Sequence, residues 1–250
     1  MAGHSKWAQI KRTKAKVDAQ RGAIFTKIAK EIFVAVKLGG PDPSGNFRLK
    51  ACIDKAKSAM MPADNIKRAI QRAIGNNEVE NVEEIQYEGY GPGGVAFLIN
   101  SLTDNRNRTA GEIRSYFTKC DGNLGETGCV SWLFSHKGQI IVSSDNLNFD
   151  VFFLFLADVG ADDLIDNNDG TFQVICKVND LEKISRELEN NSYKVLESNF
   201  IYIPKNTVLI NDENIARKIL KLHDLLENND DVQNVYSNFE LSDELIKIFS

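Results

Sequence analysis

Asn148-Phe149-Asp150-Val151-Phe152-Phe153-Leu154-Phe155-Leu156-Ala157-Asp158-Val159-Gly160 is the stretch on which the fold turns. It is so apolar that periodicity alone does not separate a helix from a buried strand. Its surroundings decide for a helix. Gly160 supplies the left-handed residue with which helices commonly end. On either side the pattern gives a strand at 139–143, a strand at 163–166, an Asn168-Asp169-Gly170 hairpin turn, a strand at 171–178, a helix at 181–188 and a strand at 195–203. With a helix at 148–159 the order is β-α-β-β-α-β, the ferredoxin-like unit. Asn179 with Glu182 forms an N-terminal box for the second helix of that unit. The run Val151–Ala157 is the longest purely apolar one, far below the roughly 18 residues of a membrane span. A helix holding Phe152, Phe153 and Phe155 buries one face on its own sheet, so its other face is expected to meet a partner or a second copy.

Downstream, Ile215, Ile219, Leu222, Leu225 and Leu226 mark a long helix and Val232–Phe239 a strand, neither with a partner of its own. Upstream, 84–90 and 95–103 read as strands joined by Gly91-Pro92-Gly93-Gly94, followed by a helix over 108–120. Returning the late helix and strand to this earlier sheet solves both problems and makes the ferredoxin-like unit an insertion. Before the polar linker at 76–84 stand three amphipathic helices. Their apolar stripes are Ile24, Ile28, Ile32 and Val36; Leu49, Cys52, Ile53, Ala56 and Met60; and Ile66, Ala69, Ile70, Ala73 and Ile74. Arg48, Lys50, Lys55 and Lys57 face away from the second stripe, and Pro62 opens the third helix in its first turn. The reading is an α+β protein with a basic arm and helical domain over 1–77, an α+β domain from 78–132 plus 205–250, and an inserted ferredoxin-like domain over 133–204.

Charge is distributed unevenly. Residues 1–75 hold sixteen Lys/Arg against five Asp/Glu, a net of +11; the whole chain is at −5, which leaves −16 on the other 175 residues. A clustered positive field supplies the sequence-independent part of binding to a phosphate backbone, and an acidic body orients the approach. Residues 2–17 show no apolar period and read as an arm. Lys6, Lys11, Arg12, Lys14 and Lys16 of the arm, Arg21, Lys27 and Lys30 of the first helix and Arg68 and Arg72 of the third are the expected phosphate contacts. Trp7 either stacks on an unpaired base or anchors the arm to its own domain.

Signs of catalysis are missing from the sequence. His4, His136 and His223 stand in separate segments without metal-ligand spacing, and no nucleophile elbow, zinc-protease helix or phosphate loop occurs. Cys52, Cys120, Cys129 and Cys176 are widely spaced, as reduced thiols in a cytoplasm would be. No apolar stretch of a secretory signal follows the basic N-terminus. The densest polar run is Asp104-Asn105-Arg106-Asn107-Arg108-Thr109. Either it is structural, with Thr109 or Asn107 capping a helix and Arg106 pairing with nearby acids, or Arg106 and Arg108 grip a phosphate or a partner carboxylate.

Met1-Ala2-Gly3-His4-Ser5-Lys6-Trp7, Met61-Pro62-Ala63-Asp64-Asn65-Ile66-Lys67-Arg68-Ala69-Ile70, Tyr87-Glu88-Gly89-Tyr90-Gly91-Pro92-Gly93-Gly94-Val95, the 103–109 run and Gly122-Asn123-Leu124-Gly125 together resemble the YebC family over essentially the whole chain. The resemblance implies a helical N-terminal domain and two α+β domains, the third ferredoxin-like and inserted in the second. It also implies a cytoplasmic protein in bacteria, or a mitochondrial one in eukaryotes. Members are named as DNA-binding transcriptional regulators, and another line of work on the family assigns ribosome-linked roles in translation. The expected function is therefore non-enzymatic regulation of gene expression through nucleic acid, without cofactor or metal. The alternatives are a ribosome-associated translation factor on ribosomal RNA and a protein-interaction scaffold without nucleic acid. A basic arm with one aromatic suits irregular RNA, and no helix offers a base-reading start of helix-turn-helix type.

Overall fold

A computed structural model describes residues 19–75 and 82–249. In chain order its elements begin with helices α1 (Ala19–Gly39), α2 (Phe47–Ser58) and α3 (Ala63–Gly75). There follow β1 (Glu83–Tyr90), β2 (Ala96–Thr103), α4 (Arg106–Lys119), β3 (Asn123–Leu124), β4 (Phe134–Ser143), α5 (Phe149–Val159), β5 (Asp163–Asp166) and β6 (Thr171–Cys176). The last are α6 (Leu181–Asn190), β7 (Val195–Pro204), β8 (Val208–Ile210), α7 (Glu213–Glu227), β9 (Val232–Ser237), β10 (Phe239–Leu241) and α8 (Asp243–Phe249). Two compact units divide these residues. One gathers the described residues up to Val34, those of Gly75–Ser135 and those from Pro204 onward; the other holds Ala35–Ile74 and His136–Ile203.

The first unit is built on the sheet β3-β1-β2-β9. β2 pairs antiparallel with β1 on one side and with β9 on the other, so the late strand does return to the early sheet. Central position explains the composition of β2: Ala96, Phe97, Leu98 and Ile99 are all fully buried, as a strand paired on both edges requires. Ile113 and Phe117 from α4 and Ile219, Leu222 and Leu226 from α7 join Phe97, Ile99 and Val232 in one core. Phe97 meets Phe117 edge to face at 5.8 Å. Gly89 in β1 is obligatory, because a Cβ there would lie 2.7 Å from the Asn123 carbonyl and 2.8 Å from the Phe117 ring.

The second unit contains the β-α-β-β-α-β order, with sheet order β5-β6-β4-β7. β6 runs antiparallel to both β4 and β5, the arrangement expected of a ferredoxin-like sheet. The apolar stretch is indeed a helix. Asn148 caps α5 by accepting the Val151 N–H at 3.1 Å, and Gly160 closes it at φ 91°. Phe152 and Leu156 enter the core with Phe172, Val174, Ile184 and Leu188. The expected Asn179–Glu182 box does not form. A 3₁₀ turn over Val178–Asp180 moves the start of α6 one residue on, so Asp180 occupies the cap position without a side-chain bond, and Glu182 pairs with Arg186 instead.

Asn46 organises the turn between α1 and α2. Its side chain accepts the Leu49 N–H and donates to the carbonyls of Ala35 and Gly40 at 2.8 Å each. Helix α2 then lies on the ferredoxin-like core: Phe47 packs against it, and Ser58 donates to the Leu196 carbonyl. Lys50, expected to face away, forms an ion pair with Glu189 at 2.7 Å.

Candidate nucleic-acid interface

Lys6, Trp7, Lys11, Arg12, Lys14 and Lys16 lie outside the described residues, and Arg21 lies on α1 with its side chain outside them. On α3, Arg68 and Arg72 are exposed four residues apart, and Lys67 is exposed beside them, while Ile66 and Ala73 are buried on the opposite face. Arg68 donates to the Asp64 carbonyl and to Asn65 Oδ1 at 2.7 Å, hydrogen bonds that orient its guanidinium without neutralising it.

Lys27, Lys30 and Arg108 meet the chain's own acceptors. Lys27 Nζ donates to the Glu227 carbonyl, one of the unsatisfied carbonyls at the negative end of α7. Lys30 Nζ reaches the Asp230 carbonyl at 3.0 Å and Asp231 Oδ1 at 2.6 Å. Arg108 bonds both Asp104 Oδ1 and Asp231 Oδ2 at 2.8 Å. Thr109 and Thr103 add hydroxyl donors to the same Asp231 oxygen at 2.7 and 3.1 Å. Burial by itself would raise the Asp231 pKa, but Arg108, Lys30 and Thr109 outweigh it and hold the carboxyl well below the usual carboxylate range. The bond to Asp231, then Asp104, raises the Arg108 pKa in turn.

The 104–109 run is thus largely structural, in a different way from that expected. Asn105 is the cap, accepting the Arg108 N–H at 3.1 Å, and Thr109 turns inward to Asp231. Arg108 pairs with the acids; Arg106 is exposed and makes no ion pair among the described residues. Asp231 was invisible in the sequence, one polar residue in Asn228-Asn229-Asp230-Asp231. Only its place between α7 and β9 carries it to α1 and α4.

A second buried carboxylate shapes a loop. Glu88 of β1 is 2% exposed. It accepts the backbone N–H groups of Gly128, Val130 and Ser131 at 2.7–2.8 Å. Burial pushes its pKa up, but these three donors together bring it below the ordinary value. His223 is buried on α7 with Nδ1 3.4 Å from Glu227 Oε1, a pairing within one helix. His136 is exposed and stacks on Tyr202 at 4.6 Å.

Two family models match, described as the TACO1/YebC protein N-terminal domain over residues 5–76 and the TACO1/YebC second and third domain over residues 82–239. The chain belongs to the TACO1/YebC family. Relatives include proteins of Desulfitobacterium hafniense and Persephonella marina, each 49% identical over 247 residues; the first alignment covers 98% of both chains and the second 99%. Both carry the name "probable transcriptional regulatory protein". A crystal structure of a conserved hypothetical protein from Aquifex aeolicus matches with TM-score 0.84 and 44% identity, covering 92% of this chain and 95% of that one. The mixed helix and strand architecture, with a helical N-terminal region and two sheet-containing parts, is that of the TACO1/YebC fold. Among the described residues of this family member, no helix is long and apolar enough to cross a membrane.

Proposed function

We propose that this protein is a cytoplasmic, non-enzymatic regulator of gene expression that binds nucleic acid through its N-terminal region. The observation that carries the reading is the charge segregation, +11 on residues 1–75 against −16 on the remainder. The names of the relatives support a regulatory role. The proposed footprint consists of Lys6, Lys11, Arg12, Lys14, Lys16 and Arg21 together with the exposed α3 face of Lys67, Arg68 and Arg72. Lys30 and Arg108 serve the scaffold through Asp231. Crosslinking in cells tests this: nucleic acid recovered with the protein exceeds that recovered with a neutral control. Chromosomal DNA in the crosslinks supports transcriptional action, as the relatives' names suggest. Ribosomal RNA supports translation, which the lone aromatic of the basic arm favours. Enrichment of neither leaves the scaffold reading and removes this one.

Self-association is proposed for the outer face of α5. Of the three Phe residues expected there, Phe152 is core, Phe155 is half-buried against Tyr193 at 4.9 Å, and Phe153 is 47% exposed. Val151 and Leu154 are exposed with Phe153. The segment between Lys137 and Lys177 contains Asp but no Lys or Arg, so two copies repel at low salt and associate better as salt screens them. Sedimentation at several concentrations is expected to show association that strengthens with salt and disappears in Phe153→Ser. Phe152→Ser instead unfolds its unit, a loss of about 3–5 kcal/mol.

A further inference from the structure

Trp132 is 63% exposed, yet it is firmly held. It lies in a 3₁₀ turn, Ser131–Leu133, directly after the loop whose N–H groups Glu88 gathers. Its indole N–H donates to the Cys129 carbonyl at 3.1 Å, and the Tyr90 hydroxyl donates to that same carbonyl at 3.1 Å. Lys205 Nζ donates to the Trp132 carbonyl at 2.8 Å, and the Lys205 N–H to the Leu133 carbonyl at 2.8 Å. Both aromatic rings therefore have their polar ends bonded to the protein, and the Trp132 surface left to solvent is apolar ring. Tyr90 is 39% exposed beside this loop.

An exposed Trp with no hydrogen-bonding capacity left, on a loop braced by a buried carboxylate, is a built display of a flat surface. Flat aromatic faces of this kind bind unpaired bases without regard to sequence, since every base has a π-face. A protein-binding hot spot would instead sit amid a packed apolar patch. Around Trp132 the loop reads Gly125-Glu126-Thr127-Gly128, exposed and free of large apolar side chains. We propose that Trp132 and Tyr90 form a stacking site for an unpaired nucleobase, with the exposed Lys205 ammonium placed for the adjoining phosphate. The site rests on the nucleic-acid reading above and specifies its ligand class as single-stranded or looped nucleic acid.

The chain has two tryptophans, so the full-length Trp7→Phe protein carries Trp132 as its sole indole. Titrating it with a twelve-residue oligouridylate, and separately with a duplex of equal length, is expected to quench the indole emission with the single strand only. In the same background Trp132→Ala weakens single-strand binding by about 5- to 150-fold and leaves duplex affinity and the salt slope unchanged. Trp132→Phe recovers most of the loss. An unchanged urea midpoint for Trp132→Ala establishes that the loop has not unfolded. If the single strand binds with unaltered emission and Trp132→Ala binds equally well, the stacking site is wrong and the nucleic-acid reading stands. If neither nucleic acid binds, both fall, and the ring belongs to a protein contact.

Discussion

Asp231→Ala lowers the urea midpoint of the unit that contains it, with a loss of about 3 kcal/mol. The carboxylate is 4% exposed and accepts from Arg108, Lys30, Thr103 and Thr109. Breaking a buried ionic set by removing one partner costs about 3–5 kcal/mol, because the remaining charges lose their compensation. The lower end applies here. Arg108 keeps Asp104, and Lys30 keeps the Asp230 carbonyl. The two threonine hydroxyls still bond each other at 2.8 Å. At about 1–3 kcal/mol per molar urea, the midpoint falls by about 1 M or more. The pH dependence has a fixed sign. A carboxyl with its folded pKa depressed contributes stability that is present above the unfolded value of about 3.9 and is lost as pH falls through the folded one. The natural protein therefore loses this contribution on acidification below about pH 4. Asp231→Asn, which keeps an acceptor for the hydroxyls but no charge, shows a flatter acid limb. A midpoint unmoved in Asp231→Ala would mean that the cations hold α1 and α4 without it.

Deletion of residues 2–16 makes the dependence of log affinity on log salt shallower by up to about 3.5 to 4.5 units, since five cations leave. Each phosphate contact contributes about −0.9 on duplex DNA or −0.7 on single strands. Between 50 and 200 mM salt a change of that size alters the affinity ratio about 100- to 500-fold. Trp7→Ala leaves the slope nearly unchanged; if Trp7 stacks on a base, it weakens looped RNA by about 1–3 kcal/mol and duplex DNA hardly at all. Lys30→Met provides the contrast: it should destabilise the fold while leaving the slope alone, because its ammonium already faces Asp231. A slope unaltered by the deletion would exclude the arm from the interface.

These two experiments separate what the sequence displayed from what it concealed. Local chemistry was legible: Asn148 and Gly160 bracket α5, Asn168 and Gly170 turn a hairpin, and the apolar Val95–Ile99 stretch marks the strand β2. The return of the late strand to the early sheet followed from one unpartnered strand needing an edge; that the edge is the one on β2 came only with the structure. Side-chain pairing across long sequence separations was not legible. Lys30 and Arg108 look like any other solvent-facing cations until the turn after α7 brings Asp231 to both. Lys50 lies on the polar side of its helix by periodicity, and only tertiary packing gives it Glu189. Glu88 reads as an ordinary strand polar residue, because three backbone donors from one loop leave no side-chain signature.

The pairing of β2 with β9 bears on how the chain emerges during synthesis. β2 ends at Thr103 and its second neighbour begins only at Val232. At about 5–20 residues per second that interval lasts roughly ten seconds. Throughout it, one edge of β2 stands open with its N–H and C=O groups unpaired, and Phe97 and Ile99 wait for the helix that covers them. Strands β4 to β7 meanwhile complete a sheet entirely among themselves. The nascent polypeptide is thus committed to finishing its later sheet first and its earlier one last. The strand that closes the first sheet, Val232–Ser237, leaves the exit tunnel only after every strand of the second.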